Sequence, residues 1–409
     1  MISKKDILII SKYVSTETNG FETRIFTIAR ILVKRGYSVT IISSNSNHLA
    51  HFKPFDGLFK KEEISGINVI WINTLKYNKS ISLKRVLSWF DFELKLGFLL
   101  LFSKIKIKEI TIVSSLSLLS ILNAIFFKNK NFKIIFEIRD IWPLTLVEEG
   151  NYSSNNLAVK FLGWVERIGY LKSDFIVGTM PNLKPHVDEI VNKKTLKVGF
   201  VPFGYKEQTK VKIAEKNLDH IKNLTKDKFV LCYSGSISLT NGLDSLIETI
   251  KLYDQKNISD VFFLIVGGGL MLQDYQDKLS NCNNVFFTGK VTRDTVPYYL
   301  KLANLLYFSA LPSKVWDYGW SPNKMIEYMS SGKPVLAAYD GHRSMINEAN
   351  SGFFIKSNNI EELDLAIQYI KNINFIVLEN MGLNGKKWLN ENRSWESITN
   401  EYEKIFSQL

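Results

Sequence analysis

Apolar and polar positions recur along the chain in a fixed order. Ile7 to Ile10 is a short apolar run, Ser11 to Gly20 is polar, and Phe21 to Arg35 carries apolar residues at helical spacing before Gly36. Val39 to Ile42 is the next run, and Thr111 to Val113, Ile134 to Phe136 and Phe175 to Val177 are further ones separated by helical stretches. Strands alternating with helices predict an α/β fold with a parallel, doubly wound sheet. The pattern breaks at Val201-Pro202-Phe203-Gly204 and a polar, lysine-rich stretch follows. A second cycle then begins, with strands expected at Phe229 to Tyr233, Val261 to Val266, Val285 to Phe287, Leu305 to Phe308 and Val335 to Ala338. Helices are expected at 242–254, 270–280, 294–303 and 323–330. The expected organisation is an acceptor-side domain over 1–200, a nucleotide-sugar domain over 201–385, and a C-terminal helix over 386–409 that packs back on the first domain. Ligands bind beyond the carboxyl ends of strands in such sheets, so two facing lobes place two substrates in a cleft.

A length of 409 residues with 45% hydrophobic residues suits two such lobes and a large core. Charge refines the picture. Residues 1–200 hold 29 Lys plus Arg against 17 Asp plus Glu, whereas the remainder holds 23 of each, so the whole net charge of +12 lies in the first half. A basic lobe is drawn to an anionic membrane or to nucleic acid. No nucleic-acid recognition motif accompanies the charge, which favours the membrane, with merely solvated lysines as the plainer alternative. Val86 to Phe102 is interrupted by Asp91, Glu93 and Lys95, and Leu116 to Phe127 is short of the ~20 apolar residues that a spanning helix needs. Both read as helices packed on a sheet, with interfacial contact as the alternative. Two cysteines, Cys232 and Cys282, supply neither a disulfide framework nor zinc-type spacing. The first ten residues lack the signal-peptide pattern, so a cytoplasmic place, peripheral on the inner membrane face, is expected.

Candidate chemistry concentrates between Tyr318 and Val335. Ser321 can cap a helix whose first turn accommodates Pro322, and free N–H groups there attract phosphate. Lys324 adds a full charge for a diphosphate, and Glu327, one turn on, is placed to accept hydrogen bonds from a ribose; a plain capped helix with a Lys/Glu pair is the alternative. The Gly235-Ser236 turn after a strand lets backbone amides approach phosphate, or simply joins strand to helix. Gly267 to Gly269 is a weak glycine cluster, and Gly20 leaves room for a diphosphate near the first helix. Arg139 and Asp140 end a strand; Asp140 suits orienting or deprotonating an acceptor hydroxyl and Arg139 suits holding it or a phosphate, with a structural ion pair as the alternative. The five histidines show no ligand spacing and read mostly as surface or loop residues, with His342, in His342-Arg343-Ser344 of the loop after Val335 to Ala338, as the exception. No Asp-x-Asp pair exists, so neither metal nor other cofactor is expected.

The segment Ser321-Pro-Asn-Lys-x-x-Glu-Tyr-Met329 followed by Gly332-Lys-Pro-Val335 resembles the donor-site signature of the family 4 retaining glycosyltransferases of the GT-B fold, particularly the branch acting in bacterial O-antigen and capsule assembly. The likeness extends over nearly the whole chain through Asn19-Gly20, Phe136-Glu-Ile-Arg-Asp-Ile-Trp-Pro143, Tyr233-Ser-Gly-Ser236, Val266-Gly-Gly-Gly269 and the Trp395 helix. It implies two Rossmann-like domains and retention at the anomeric carbon. It also implies donor contacts from Gly20, Gly235, Ser236, Asn241, Gly267, Arg293, Ser321, Asn323, Lys324 and Glu327. Asp140, Arg139 and Lys324 are the expected catalytic residues.

Two departures matter. Many members carry a glutamate eight positions before Glu327, where this chain has Gly319, and an Arg and a Lys in the loop where it has Ser236 and Asn241. Lys324 becomes the main phosphate cation, with Arg293 in Thr292-Arg293-Asp294 a weaker one. The implied reaction transfers a sugar, such as an N-acetylated or deoxy amino sugar, from a UDP donor to a polyprenyl-diphosphate-linked saccharide. The alternatives are an enzyme like the UDP-N-acetylglucosamine 2-epimerases and a non-catalytic nucleotide-binding homologue.

Overall fold

Parallel strands covered by helices on both faces must be apolar throughout, and this requirement explains why the apolar runs of the chain became strands. The computed structural model describes residues 5–47, 50–78, 82–102, 108–114, 118–193, 196–206, 218–320 and 323–409. It divides into two units, Met1–Gly204 with Trp395–Leu409, and Tyr205–Ser394. The expected boundary at 200 therefore moves to 204, because Val201 still packs in the core of the first unit and Gly204 lies against the Trp395 ring. The return to the first unit starts at Trp395 rather than 386, since residues 386–392 continue a helix that packs within the second unit.

The first unit runs β1 (Asp6–Ile10), α1 (Arg24–Lys34), β2 (Ser38–Ser44), β3 (Phe59–Ile64), β4 (Ile67–Ile72), α2 (Leu83–Phe102), β5 (Ile110–Ser114), α3 (Ser120–Phe126), β6 (Lys133–Ile138), α4 (Leu144–Glu148), α5 (Leu157–Lys172), β7 (Phe175–Gly178), α6 (Leu183–Val191) and β8 (Val198–Phe200). Its sheet has the order β3-β4-β2-β1-β5-β6-β7-β8. All neighbours are parallel except the edge pair β3–β4. That antiparallel edge departs from the all-parallel expectation; Ser65 and Gly66 both take positive φ, 55° and 76°, which closes a two-residue hairpin. The second unit runs α7 (Leu218–Thr225), β9 (Phe229–Ser234), α8 (Asp244–Gln255), β10 (Val261–Val266), α9 (Leu272–Lys278), β11 (Val285–Phe287), α10 (Val296–Lys301), β12 (Leu305–Ser309), α11 (Asn323–Ser330), β13 (Val335–Ala338), β14 (Gly352–Ile355), α12 (Ile360–Lys371) and α13 (Phe375–Asn392). Its strand order is β11-β10-β9-β12-β13-β14, parallel throughout.

The last helix, α14 (Trp395–Phe406), belongs to the first unit. Ile398, Tyr402, Ile405 and Phe406 join Ile25, Phe26, Ala29 and Leu32 of α1 in its core. A buried ionic knot reinforces this packing. Glu137 of β6 accepts hydrogen bonds from Arg24 Nη1 (2.6 Å), Ser114 Oγ (2.6 Å) and the Tyr402 hydroxyl. Arg24 Nη2 also donates to the Val201 carbonyl at 2.7 Å. Burial alone would raise the Glu137 carboxyl, but Arg24 and the two hydroxyls outweigh it and hold it below its ordinary value.

One side-chain expectation fails here. His186, read as a surface residue, is buried on α6 with Nε2 2.7 Å from Glu166 Oε1, which also accepts the Tyr170 hydroxyl at 2.9 Å. The apolar face of a short helix carried it inward, where the Glu166 carboxylate satisfies it.

Candidate functional site

In the second unit the chain leaves β9 towards β10 and β11 and returns through β12 to β13 and β14, so the winding reverses between β9 and β12. A crevice opens beyond the carboxyl ends of strands at such a reversal. Lys324, on the first turn of α11, lies there. Its Nζ donates to the Tyr233 hydroxyl at 2.9 Å and to Asn241 Oδ1 at 3.2 Å, and stands 4.4 Å from the centroid of the Tyr233 ring and 5.6 Å from that of Phe308. The helix is held in this rotation by Tyr328. The buried Tyr328 hydroxyl accepts the Ser234 N–H at 2.7 Å and lies 3.1 Å from the Tyr307 carbonyl, so α11 is bolted to both strands of the reversal. Gly235 gives the lysine its space: a Cβ there would strike Lys324 Cε and lie 2.6 Å from Nζ.

Electrostatics mark Lys324 further. Burial pushes its ammonium down to about 8, with Glu327 opposing the shift. Both of its hydrogen-bond partners are neutral, so the cation is preformed and uncompensated at short range. An anion placed beside it would gain an unusually strong, charge-assisted interaction.

Asn241 does two jobs. Besides facing Lys324, its Nδ2 donates to the Ser236 carbonyl (3.0 Å) and to Ser238 Oγ (2.8 Å). Its own carbonyl accepts Ser309 Oγ at 2.6 Å, which ties the loop to the end of β12. Ser236 itself is exposed beside the lysine, and its carbonyl also accepts the Tyr233 hydroxyl at 2.6 Å.

Several expected residues take other places. Arg293 does not stand as an independent phosphate cation: its Nε and Nη2 both donate to Glu327 Oε1, at 3.1 and 2.9 Å, because the loop carrying it lies beside α11. Glu327 is therefore ion-paired, with Oε2 unengaged among the described residues. The Gly235 N–H is committed to the Val266 carbonyl at 2.9 Å, so that amide is not offered to a phosphate. The glycines from Gly267 to Gly269 serve the contact between two loops. Ile237 N–H donates to the Gly268 carbonyl at 3.0 Å, and a Cβ at Gly267 or Gly269 would collide with the carbonyl of Gly235 or Ile237. Ser321 lies outside the described residues, as does the side chain of Asn323.

Three aromatic features escaped the sequence reading. Tyr233 and Phe308 flank the lysine, and Trp320 stacks on Tyr339 with centroids 4.2 Å apart and planes 9° from parallel. Trp320 is buried, touches Phe308 edge-on at 4.2 Å, and its Nε1 has no hydrogen-bond partner among the described residues. The available signal was an aromatic at the last turn of each central strand. Gly319, at the place of the glutamate found in many family members, has φ of 85° and ψ of −179°, a conformation suited to glycine.

In the first unit Arg139 and Asp140 follow β6. No ion pair joins them among the described residues, so the structural-pair alternative is not realised. The Arg139 guanidinium lies 5.6 Å from the centre of the Phe203 ring, its Nε is buried without a hydrogen-bond partner among the described residues, and burial lowers its pKa. Asp140 retains an exposed surface, while crowding by protein lifts its carboxyl above the ordinary value and Arg139 and Arg85 pull it back. Gly20 has φ of 112° and open space around its Cβ position; its N–H is bonded to the Glu17 carbonyl at 3.1 Å, so it contributes room rather than a donor. Sequence reading also missed Lys12, fully buried after β1, whose Nζ donates to Ser88 Oγ at 3.0 Å and whose ammonium burial pushes down to about 7.

Residues 215–388 match the family described as glycosyl transferases group 1. Among solved structures, sucrose-phosphate synthase from Thermosynechococcus elongatus is similar at 15% identity and a TM-score of 0.68, covering 99% of each chain. Anabaena HepE in complex with UDP is similar at 13% identity and a TM-score of 0.62, covering 99% of this chain and 100% of that one. An E. coli trehalose-6-phosphate structure bound with UDP-2-fluoro glucose is similar at 11% identity and a TM-score of 0.69, covering 98% of each. At these identities the structural likeness speaks for the fold. No curated protein sequence matches.

Proposed function

Starting from a glycosyltransferase of GT-B architecture, with a group 1 domain over residues 215–388, we propose that the chain moves a sugar from a UDP-linked donor to a polyprenyl-diphosphate-linked saccharide in bacterial surface-polysaccharide synthesis. The observation that carries the donor half is Lys324, a half-buried ammonium with neutral partners at the winding reversal of the second unit. Negative charge grows on the diphosphate as the glycosidic C–O bond breaks, and a cation fixed in place stabilises that charge without reorganising. The unengaged Glu327 Oε2 suits the ribose hydroxyls, with Arg293 holding the carboxylate in position. UDP as the nucleotide draws support from similar structures containing UDP, UDP-glucose and UDP-2-fluoro glucose.

The missing side chain at Gly319 favours a sugar with a hydroxyl replaced, such as an N-acetylated or deoxy amino sugar. Retention follows from the family resemblance, the acceptor attacking from the face that the diphosphate leaves. No cofactor or metal is invoked, because protein groups meet the charge of the leaving diphosphate. The acceptor half rests on Asp140, whose raised carboxyl suits orienting a hydroxyl and taking up its proton. The basic first half of the chain suits a lipid-linked acceptor and an anionic membrane on the cytoplasmic side.

Calorimetric titration with UDP, GDP and dTDP under chelation tests the donor half, and UDP is expected to bind. Asp140→Ala is expected to keep UDP affinity within about twofold while lowering transfer to a lipid-linked acceptor by roughly 10²-fold. Binding of no nucleotide would reject the reading; loss of UDP affinity in Asp140→Ala would reject the role of Asp140.

A further inference from the structure

Helix α2 is apolar on two sides: Phe92, Leu96, Leu99 and Leu100 are buried, and a second apolar row is not. Its residues Leu83, Leu87, Phe90, Leu94, Phe98 and Leu101 are spaced four, three, four, four and three apart, so they share one face, and every one of them is exposed to solvent. Leu83 and Leu94 are 74% and 77% exposed, so this second row lies uncovered although the helix already packs through the first. Polar side chains flanking the buried row are tied to the protein. Ser88 accepts Lys12 Nζ at 3.0 Å, and Asp91 accepts the Leu75 N–H at 2.8 Å. Glu93 accepts Ser120 Oγ at 2.6 Å and Asn123 Nδ2 at 2.9 Å, and Lys95 donates to the Asn73 carbonyl at 2.7 Å. Four anchors along the helix fix its rotation, so the outward apolar face is part of the fold.

The face extends past α2. Helix α3 packs between α2 and α5 and exposes Phe126, and α5 exposes Leu157, Phe161 and Trp164 at helical spacing. The exposed charged residues of these three helices are Lys84, Lys160, Arg167 and Lys172, and no Asp or Glu among them is exposed. We propose that the α2–α3–α5 face is a docking surface for an anionic lipid bilayer, with α2 lying flat along the headgroup and acyl boundary. This deepens the membrane part of the reading above and does not depend on the transfer chemistry.

Charge selects the occupant. An apolar stripe on helices whose exposed charges are all cations complements lipid phosphates, whereas a second copy of the chain would set cation against cation. At 20 residues α2 extends about 30 Å, long enough to seat six large side chains in the boundary while its anchored polar face stays on protein. No helix among the described residues is long and apolar enough to cross a membrane.

Flotation of the full chain with vesicles of phosphatidylcholine, alone or mixed with phosphatidylglycerol, tests the proposal. The chain is expected to float with the mixed vesicles, and the double variant Leu87→Gln/Leu94→Gln to lower partitioning by roughly tenfold or more. Lys84→Glu/Lys160→Glu is expected to weaken binding to the anionic vesicles at low salt, with the difference fading at high salt. Calorimetric UDP affinity, unchanged in both variants, reports an intact second unit; its absence in every form, with flotation retained, would reject the donor reading alone. Any of three results would overturn the docking surface. One is a wild type that fails to float. Another is a melting temperature like wild type in both variants together with undiminished flotation, and the third is a wild-type dimer that Leu87→Gln/Leu94→Gln dissociates without affecting flotation.

Discussion

Lys324→Ala is expected to weaken UDP binding by about 10- to 100-fold, the scale of one charge-assisted hydrogen bond, and to cut turnover by roughly a further 10²-fold. The two losses separate because the lysine meets a diphosphate whose charge increases in the transition state. Calorimetry gives the first and steady-state kinetics the second. Undiminished affinity and turnover would remove Lys324 from the donor site.

The depressed ammonium adds a pH signature. Lys324 titrates near 8 in the free protein, so UDP affinity should fall as pH rises through that value, and binding above it should be accompanied by proton uptake. Titrations in buffers of different ionisation enthalpy read the uptake, which Lys324→Met should abolish. The sign for stability runs the other way. A lysine that loses proton affinity on folding opposes folding below about 8, and the opposition disappears as pH rises towards the ordinary lysine value. Lys324→Met is therefore expected to melt no lower than wild type at neutral pH while losing activity, the pattern of a residue kept for binding at a cost to the fold.

The largest stability effect is expected from Arg24→Met, at about 3–5 kcal/mol. Arg24 and Glu137 are 2.6 Å apart with side chains 3% and 0% exposed. Removing the guanidinium leaves a carboxylate in the core with only Ser114 and Tyr402 to satisfy it. Denaturant unfolding measures the loss, and hydrogen exchange in 395–409 should show α14 released first, since Tyr402 joins the same knot. In wild type the depressed Glu137 carboxyl contributes stability above its unfolded value that is lost as pH falls through its folded one. In Arg24→Met burial should instead raise that pKa, so mild acid should narrow the gap between the two proteins. Arg24→Met/Glu137→Leu is expected to recover much of the loss, because a pair of apolar side chains leaves no buried charge unpaired. A cost below about 1 kcal/mol for the single variant would show that the knot does not clamp α14.

Element type was legible for most strands buried on both sides, although β4, buried along nearly its whole length, was not named. The five strands expected in the second unit from Phe229 to Ala338 correspond to β9 to β13, because central parallel strands have no polar face to obscure the run. β3 was not found, since Phe59–Ile64 is charged and lies at a sheet edge, although Ser65-Gly66 carried a hairpin signal. β14 was also missed: four residues opening on a glycine offer too little pattern to read. At the donor site, Lys324, Asn241 and Gly235 were legible as residues of the right chemistry next to strand ends. The pairing of Arg293 with Glu327 was not, because residues 34 positions apart meet only when α11 is docked.

By itself, then, the sequence determined local order: the β–α alternation, the break after Gly204, the sign of the charge in each half, and the presence of a lysine at a helix entrance near a strand end. These depend on neighbours within a few residues. Tertiary structure alone decided which way each element faces and whom each charge meets. Periodicity says that Leu83, Leu87, Phe90 and Leu94 share a side of α2, but only packing of the Phe92, Leu96 and Leu99 row, with the anchors supplied by Lys12, Leu75, Ser120 and Asn123, turns that side outward. Likewise, Lys324 owes its depressed ammonium to burial by elements that become its neighbours only on folding, since environment, rather than residue type, sets a pKa.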